Sequence, residues 1–468
     1  MTALSRISGF VRDVVFSSFF GATGVADAFL VAFRIPNVFR RLFAEGAFAQ
    51  AFVPVLAEYR SGGSNAALKH FVRTISGNLS LVLALVGIIG AVAAPLLVFL
   101  FAPGFWDEPE RFDLAVEMTR ITFPYLTFIS LTAFAGAVLN SFHRYAIPAA
   151  TPVLLNAVLI ASVLAAAPSF EQPVMALAWG VLAAGVVQLL FQLPWIRRLG
   201  LLEKPRVEWR EPGVVKVGRL LGPAVFSASV GQINALVGSV LASTLVTGSI
   251  SWLYYADRLL ELPIGLVAIA LGTVLLPNLS RLHNADDVRG FERTTDWGLR
   301  MGLLLGAPAG VGLWVLADGL IATIFYHGVL TAFDVQMAAA ALEAFALGVL
   351  PLVWVKVLGP AYFARHDTKT PFRYAAVSVA VNVVVSVALI FPLAHVGLAL
   401  ATSLAAVVHC ALLLGGLVRR GVYKPGADFF RVCLASAGGA VALYAAMHWL
   451  AVSDTHLRAH ETPLHLVC

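Results

Sequence analysis

Charge is what this sequence has least of. Asp, Glu, Lys and Arg make up only 12% of its 468 residues, against 59% hydrophobic ones, and mean hydropathy is +0.86. A soluble globule of this size cannot cover itself with so little polar surface, so the chain is expected to be an all-α polytopic membrane protein. Cysteine is also scarce. Cys410, Cys433 and Cys468 have no metal-ligand spacing, and two of them lie in apolar segments, so neither a disulfide framework nor a metal site is expected. There is no nucleotide-binding loop, no paired-carboxylate loop of a glycosyltransferase and no cytosolic ATPase domain. These gaps argue against an enzyme and against ATP-driven transport on this chain, and no cofactor is expected. No basic region precedes the first apolar run, and Arg6 and Arg12 interrupt it, so no cleavable signal peptide is expected. That run starts so close to Met1 that residues upstream are expected to be missing.

What the sequence has instead is a series of apolar runs long enough to cross roughly 30 Å of hydrocarbon. Spans are expected near residues 4–21, 26–57, 73–102, 114–141, 149–167, 174–196, 217–247, 251–279, 298–325, 335–363, 373–393, 396–418 and 430–452, about thirteen in all. Basic residues follow each even-numbered span: Arg60, Lys69 and Arg73, then Arg144, the group from Arg197 and Arg198 to Lys216, then Arg281, Arg365 and Lys369, and Arg419 and Arg420. The odd-numbered exits are short or acidic, as at Asp107, Glu108 and Glu110. The even loops, and with them the N-terminus, are therefore expected in the cytoplasm. The net charge of +6 is concentrated there, which implies topology and contact with anionic membrane lipid, not nucleic acid.

The largest polar break separates the first six spans from the rest, and the second part echoes the first. Ala26-Asp27 followed by Pro36 and Pro54 has a counterpart in Ala256-Asp257 followed by Pro263 and Pro277; Phe142-His143-Arg144 matches Phe363-Ala364-Arg365, and Asn156 matches Asn382. The common offset of about 220 to 230 residues suggests two pseudo-symmetric six-helix lobes around a central cavity. The expected division is an N-lobe over 1–198, a cytoplasmic linker over 199–219, a C-lobe over 220–418, an extra C-terminal span over 419–452 and a polar tail over 453–468 that is either a small tail or non-native.

Arginines inside such spans are expensive, about 2.5 to 3.5 kcal/mol each at a helix centre. Ser5, Gly9 and Arg12 share one face of the first helix, and Arg6 aligns with Asp13. On the second span Arg41 and Glu45 are spaced to pair, leaving Arg40 for a ligand. The eighth span opens with Tyr254, Asp257, Arg258 and Glu261, and Lys356 sits in the tenth. Single arginines of this kind often snorkel or pair with carboxylates such as Asp13, Asp27 or Glu45. Taken as a set, Arg6, Arg12, Arg40 and Arg258 point instead to an anion held in a water-filled cavity, because guanidinium stays charged and forks onto phosphate oxygens. His327, His395 and His409 read as loop or packing residues. Asn156, Asn234 and Asn382 read as interhelical hydrogen bonders.

Ser5-Arg6, Gly9-Phe10, Arg12-Asp13, Ala26-Asp27-Ala28-Phe29, Phe33-Arg34-Ile35-Pro36-Asn37, Arg40-Arg41-Leu42-Phe43-Ala44-Glu45-Gly46 and Ala51-Phe52-Val53-Pro54 closely resemble the MurJ (MviN) family of bacterial lipid II flippases. So do the stretches 252–261, 276–280 and 369–371. The resemblance covers the chain to about residue 452. It implies the fold of the multidrug/oligosaccharidyl-lipid/polysaccharide exporters, followed by two helices that form a lipid-facing groove. The implied substrate is lipid II, an undecaprenyl diphosphate carrying a disaccharide pentapeptide, moved between leaflets of the inner membrane by a monomer. The family's cavity arginines match Arg6, Arg12, Arg40 and Arg258, and its acidic positions match Asp27 and Glu45. Arg41, Asp257, Glu261 and Lys356 are secondary candidates. The chain departs from the pattern in its short first helix and in the absence of a fourteenth helix, which suggests truncation. Two alternatives are an exporter of another polyprenyl-linked glycan or of drugs, and a membrane glycosyltransferase or scaffold. The latter would need catalytic loop carboxylates or large partner-binding loops, and neither is visible. No sequence feature identifies a coupling ion.

Overall fold

A computed structural model describes residues 2–41, 47–62 and 64–461. Apolar runs fold as helices because only a helix satisfies its own backbone polar groups in lipid. In chain order they are α1 (Thr2–Phe20), α2 (Gly24–Arg40), α3 (Ala47–Gly62), α4 (Asn65–Val92), α5 (Ala94–Phe101), α6 (Pro109–Thr122), α7 (Tyr125–Ser141), α8 (Ala146–Ala161) and α9 (Met175–Arg198). Then follow α10 (Pro212–Ser243), α11 (Ser249–Asn284), α12 (Val288–Val315), α13 (Ala317–Phe325), α14 (Ala332–Ala346), α15 (Val349–Phe363), α16 (Lys369–Arg419) and α17 (Ala427–Glu461). There is no strand among the described residues. Eight helices or helix pairs there are long and apolar enough to cross a membrane, and the α14–α15 pair, bent by 43°, makes a ninth. The all-α membrane architecture expected from composition is the one observed.

Helix starts fall on the polar residues between runs. Thr23, Ser64, Glu211 and Asp287 each accept a hydrogen bond from a backbone N–H in the first turn that follows, and Thr331 with Asp334 forms a capping box. Several expected spans are two helices with a break. α4 gives way to α5 at Ala93, α6 to α7 at Phe123 and Pro124, α12 to α13 at Leu316 and α14 to α15 at Leu347 and Gly348. α16 holds the eleventh and twelfth runs, which meet at Ala394 with φ 47° and ψ −128°. Pro36, Pro54, Pro263 and Pro277, by contrast, lie inside continuous helices. α17 continues through Glu461, so the first part of the expected polar tail is helical.

The chain forms two compact units, Met1–Ser251 with His327–Leu330, and Trp252–Tyr326 with Thr331–Cys468. In the first, Phe52 stacks on Phe71 and meets Phe48 and Phe134 in a core drawn from α3, α4, α7, α9 and α10. α10, expected to open the second lobe, packs on α3 within this unit. In the second, Leu275, Leu299, Val353, Tyr362, Leu417 and Tyr423 form the equivalent core. A repeat is visible in the backbone, but there His143 corresponds to His366 and not to Ala364, two residues beyond the pairing expected from the sequence. α7 ends with His143 at φ 61° and Arg144 N–H on Leu139 O; α15 ends with His366 at φ 58° and Asp367 N–H on Tyr362 O. The ends of α9 and α16 match likewise, with Gly200 at φ 69° and Gly421 at φ 66°.

The segment between α9 and α10 is laid on α4. Asn78 donates to Glu208 O at 2.9 Å and accepts from Glu208 N–H at 3.1 Å. Gly77 leaves room for the backbone of Arg206, where any Cβ would overlap the Arg206 carbonyl. Glu211 then caps α10 and accepts from Tyr59 Oη at 2.6 Å.

Candidate functional site

On α1, Ser5, Ser8, Gly9 and Arg12 converge on one side chain of α8, Asn156. Its amide nitrogen donates to Ser8 Oγ at 2.9 Å and to Ser5 O at 3.3 Å, while its oxygen accepts from Arg12 Nη1 at 3.1 Å. A Cβ on Gly9 would stand 3.5 Å from that amide, an ordinary van der Waals contact. Arg12 is held on its other side by Asp13 Oδ1, at 2.6 Å from Nη2 and 3.0 Å from Nε. The result is a guanidinium fixed by a carboxylate and an amide, with 14% of its side chain exposed. Arg12 thus pairs with its sequence neighbour and with an asparagine read as interhelical glue. Arg6 is exposed, one residue after Ser5.

On α2, Arg40 Nε donates to Asn37 Oδ1 at 3.0 Å, and Asn37 in turn donates to Phe33 O at 2.7 Å. Tyr125 is fully buried at the start of α7. Arg41 is exposed at the end of α2. Glu45, its expected partner, lies outside the described residues.

Asp27 is enclosed, with no exposed surface, and its partners are not the arginines expected. Its Oδ2 accepts from Arg111 Nη2 at 2.7 Å and Gly248 N–H at 2.8 Å; its Oδ1 accepts from Ser251 N–H at 2.9 Å and Ser251 Oγ at 2.6 Å. Arg111 also reaches Glu108 and Thr247, and its guanidinium lies 3.9 Å from the Phe105 ring centroid. One carboxylate therefore ties the start of α2 to α6 and to the α10–α11 turn. In the sequence Arg111 stands beside the acidic residues Asp107, Glu108 and Glu110, and Ser251 opens the eighth expected span.

In the second unit, Arg258 on α11 stacks over Tyr254 at 4.7 Å, donates to Tyr254 Oη at 3.1 Å and pairs with Glu261 at 3.1 Å. Asp257, Glu261 and Lys356 are exposed. Trp252 donates to Asp334 at 2.8 Å, and His395 packs on Trp252 and donates to Met337 O at 2.9 Å, a packing role as read. The described residues hold no His, Cys, Asp and Glu cluster suited to a metal.

A family profile described as "Lipid II flippase MurJ" matches residues 16–466. The "Probable lipid II flippase MurJ" of Haemophilus influenzae is 44% identical over 462 residues, 95% of this chain and 90% of that one. The "Lipid II flippase MurJ" of Burkholderia cenocepacia is 40% identical over 467 residues, covering 99% of this chain and 90% of its own. Among solved structures, a lipid II flippase MurJ in an inward closed conformation superposes with a TM-score of 0.82 at 28% identity, over 97% of this chain and 94% of that one. An inward-facing MATE-family multidrug transporter superposes at 0.70 with 13% identity over 90% of this chain and 94% of that one, a likeness of fold alone. A chain matched over nearly its whole length by the profile, by relatives of 40% and 44% identity and by a solved structure belongs to the lipid II flippase MurJ family, a family of transporters and not of enzymes.

Proposed function

We propose that this protein carries lipid II from the inner to the outer leaflet of the bacterial cytoplasmic membrane by alternating access, as a monomer with its N-terminus in the cytoplasm. Arg6, Arg12, Arg40 and Arg258 hold the diphosphate of the head group, and the polyprenyl tail stays in lipid along α17. The observation that carries this reading is the setting of Arg12, a cation fixed within an apolar helix by Asp13 and Asn156. A guanidinium held in one orientation meets phosphate oxygens without a further ordering cost. Arg40 is oriented by Asn37 in the same way. Asp27 contributes by fixing the entry to α2, the helix that carries Arg40, through Arg111. Glu45, with Arg41, Asp257, Glu261 and Lys356, completes the proposed charge set. Rocking between inward and outward states then exposes the head group on one face at a time.

The shared MATE fold favours one second reading, export of another polyprenyl-linked glycan or of a drug. The arginines disfavour a cationic drug. Depleting the protein separates the cases: lipid II accumulating on the inner leaflet supports the proposal, and unchanged lipid II with a different retained glycan overturns it.

A further inference from the structure

We propose that the end of α9 carries a binding site for an anionic phospholipid, separate from the arginines assigned to the transported head group. A cavity of about 610 Å³ opens there, lined by Leu190, Leu193, Pro194, Arg197, Arg198 and Leu202. The local fold builds it. Gly200, at φ 69°, turns the chain back on α9, and Leu201 N–H closes the turn on Ile196 O at 3.2 Å. Leu201 is thereby buried in the core while Leu202 stays 44% exposed. The apolar wall continues up α9 through exposed Leu190, Phe191 and Val187, a stripe long enough to lie along an acyl chain.

The lining is also cationic. Arg197 and Arg198 are exposed, and among the described residues neither pairs with a carboxylate. Arg198 is instead stacked on Trp195, 4.4 Å from the ring centroid. Lys69 adds a third positive charge, its Nζ 3.9 Å from the Cβ position of Gly200. The carboxylate nearest in sequence, Glu203, is engaged by Arg73 at 3.5 Å. A free phosphate would leave the leucine wall unused, and a neutral lipid would leave the arginines unused. A phospholipid with net negative charge uses both, at the depth where an apolar helix meets water.

The site is tested with the full chain reconstituted in nanodiscs, using tail-brominated phosphatidylglycerol and tail-brominated phosphatidylcholine as quenchers. The fluorescence of Trp195 is the difference between the wild type and Trp195→Phe. Two juxtamembrane arginines, at about fivefold each, predict roughly 25-fold preference for phosphatidylglycerol. Arg197→Gln/Arg198→Gln should bring the preference close to one, and Arg197→Lys/Arg198→Lys, which keeps the charge, should retain most of it. Because the exposed side chains support no core contact, both variants should elute as the wild type does. Equal quenching by the two lipids, or a preference that survives the glutamines, overturns the proposal. So does loss of the preference in excess inorganic phosphate, which would identify a site for the free anion.

Discussion

The Asp27–Arg111 pair predicts a large and non-additive loss of stability. Asp27 presents two oxygens to four donors, two at each, and both partners of the ion pair are buried, at 0% and 6% exposure. In Asp27→Asn, whichever way the amide turns, an NH2 group faces two donors, and Arg111 is left a buried charge whose remaining carboxylate, Glu108, is itself half exposed. Breaking one partner of a buried pair costs about 3 to 5 kcal/mol. Arg111→Gln should cost a similar amount, because it leaves the buried carboxylate behind. Asp27→Asn/Arg111→Gln should then cost less than the two single changes together by at least about 1 kcal/mol, since no uncompensated charge remains. Denaturant unfolding in detergent micelles, followed by far-UV ellipticity, measures all three. Additive costs, or an Asp27→Asn within about 0.5 kcal/mol of the wild type, the value expected of a surface change, would refute the reading of Asp27 as a buried pin.

Other consequences follow from the same geometry. Asn156→Ala removes one group that orients Arg12 and should weaken lipid II binding about tenfold, the scale of a charge-assisted hydrogen bond, while leaving the protein folded in gel filtration. Gly77→Ala should lift the segment laid on α4, because its Cβ would overlap the Arg206 carbonyl; faster tryptic cleavage after Arg206 and Arg210 reads this out. Burial opposes ionisation of Asp367, but hydrogen bonds from Thr370 and Arg420 outweigh it and bring its pKa from 3.8 down to about 2. A group depressed on folding stabilises the fold above its unfolded pKa, and that contribution is lost as pH falls from about 4 toward 2. In Arg420→Ala the acid loss of structure, followed by ellipticity, should begin at higher pH.

The placement of the helices was legible because spans are long and backbone satisfaction in lipid leaves few choices. The breaks were less so. Pro36, Pro54, Pro263 and Pro277 each lie within a continuous helix, whereas Ala93 and Leu316 break with no proline at the break itself. Pro95 follows two residues after Ala93 and starts α5, which is the favoured place for proline in a helix. At the site, Arg12 and Arg40 were recognisable by their cost in an apolar run. Their orienters were not, because Asn156 stands 144 residues from Arg12. Asp27 was found as a residue and misassigned as to partner. Arg111 lies 84 residues away and Gly248 221 residues away, and in sequence both look like ordinary loop residues.

Arg12 and Arg258 are both proposed to hold the diphosphate of the substrate. Equilibrium binding of lipid II to the purified wild type, Arg12→Ala and Arg258→Ala tests it most directly, with the undecaprenyl monophosphate carrier as the comparison ligand. Each variant should lose about tenfold or more in affinity for lipid II and much less for the monophosphate. Wild-type affinity for lipid II in either variant would contradict the account.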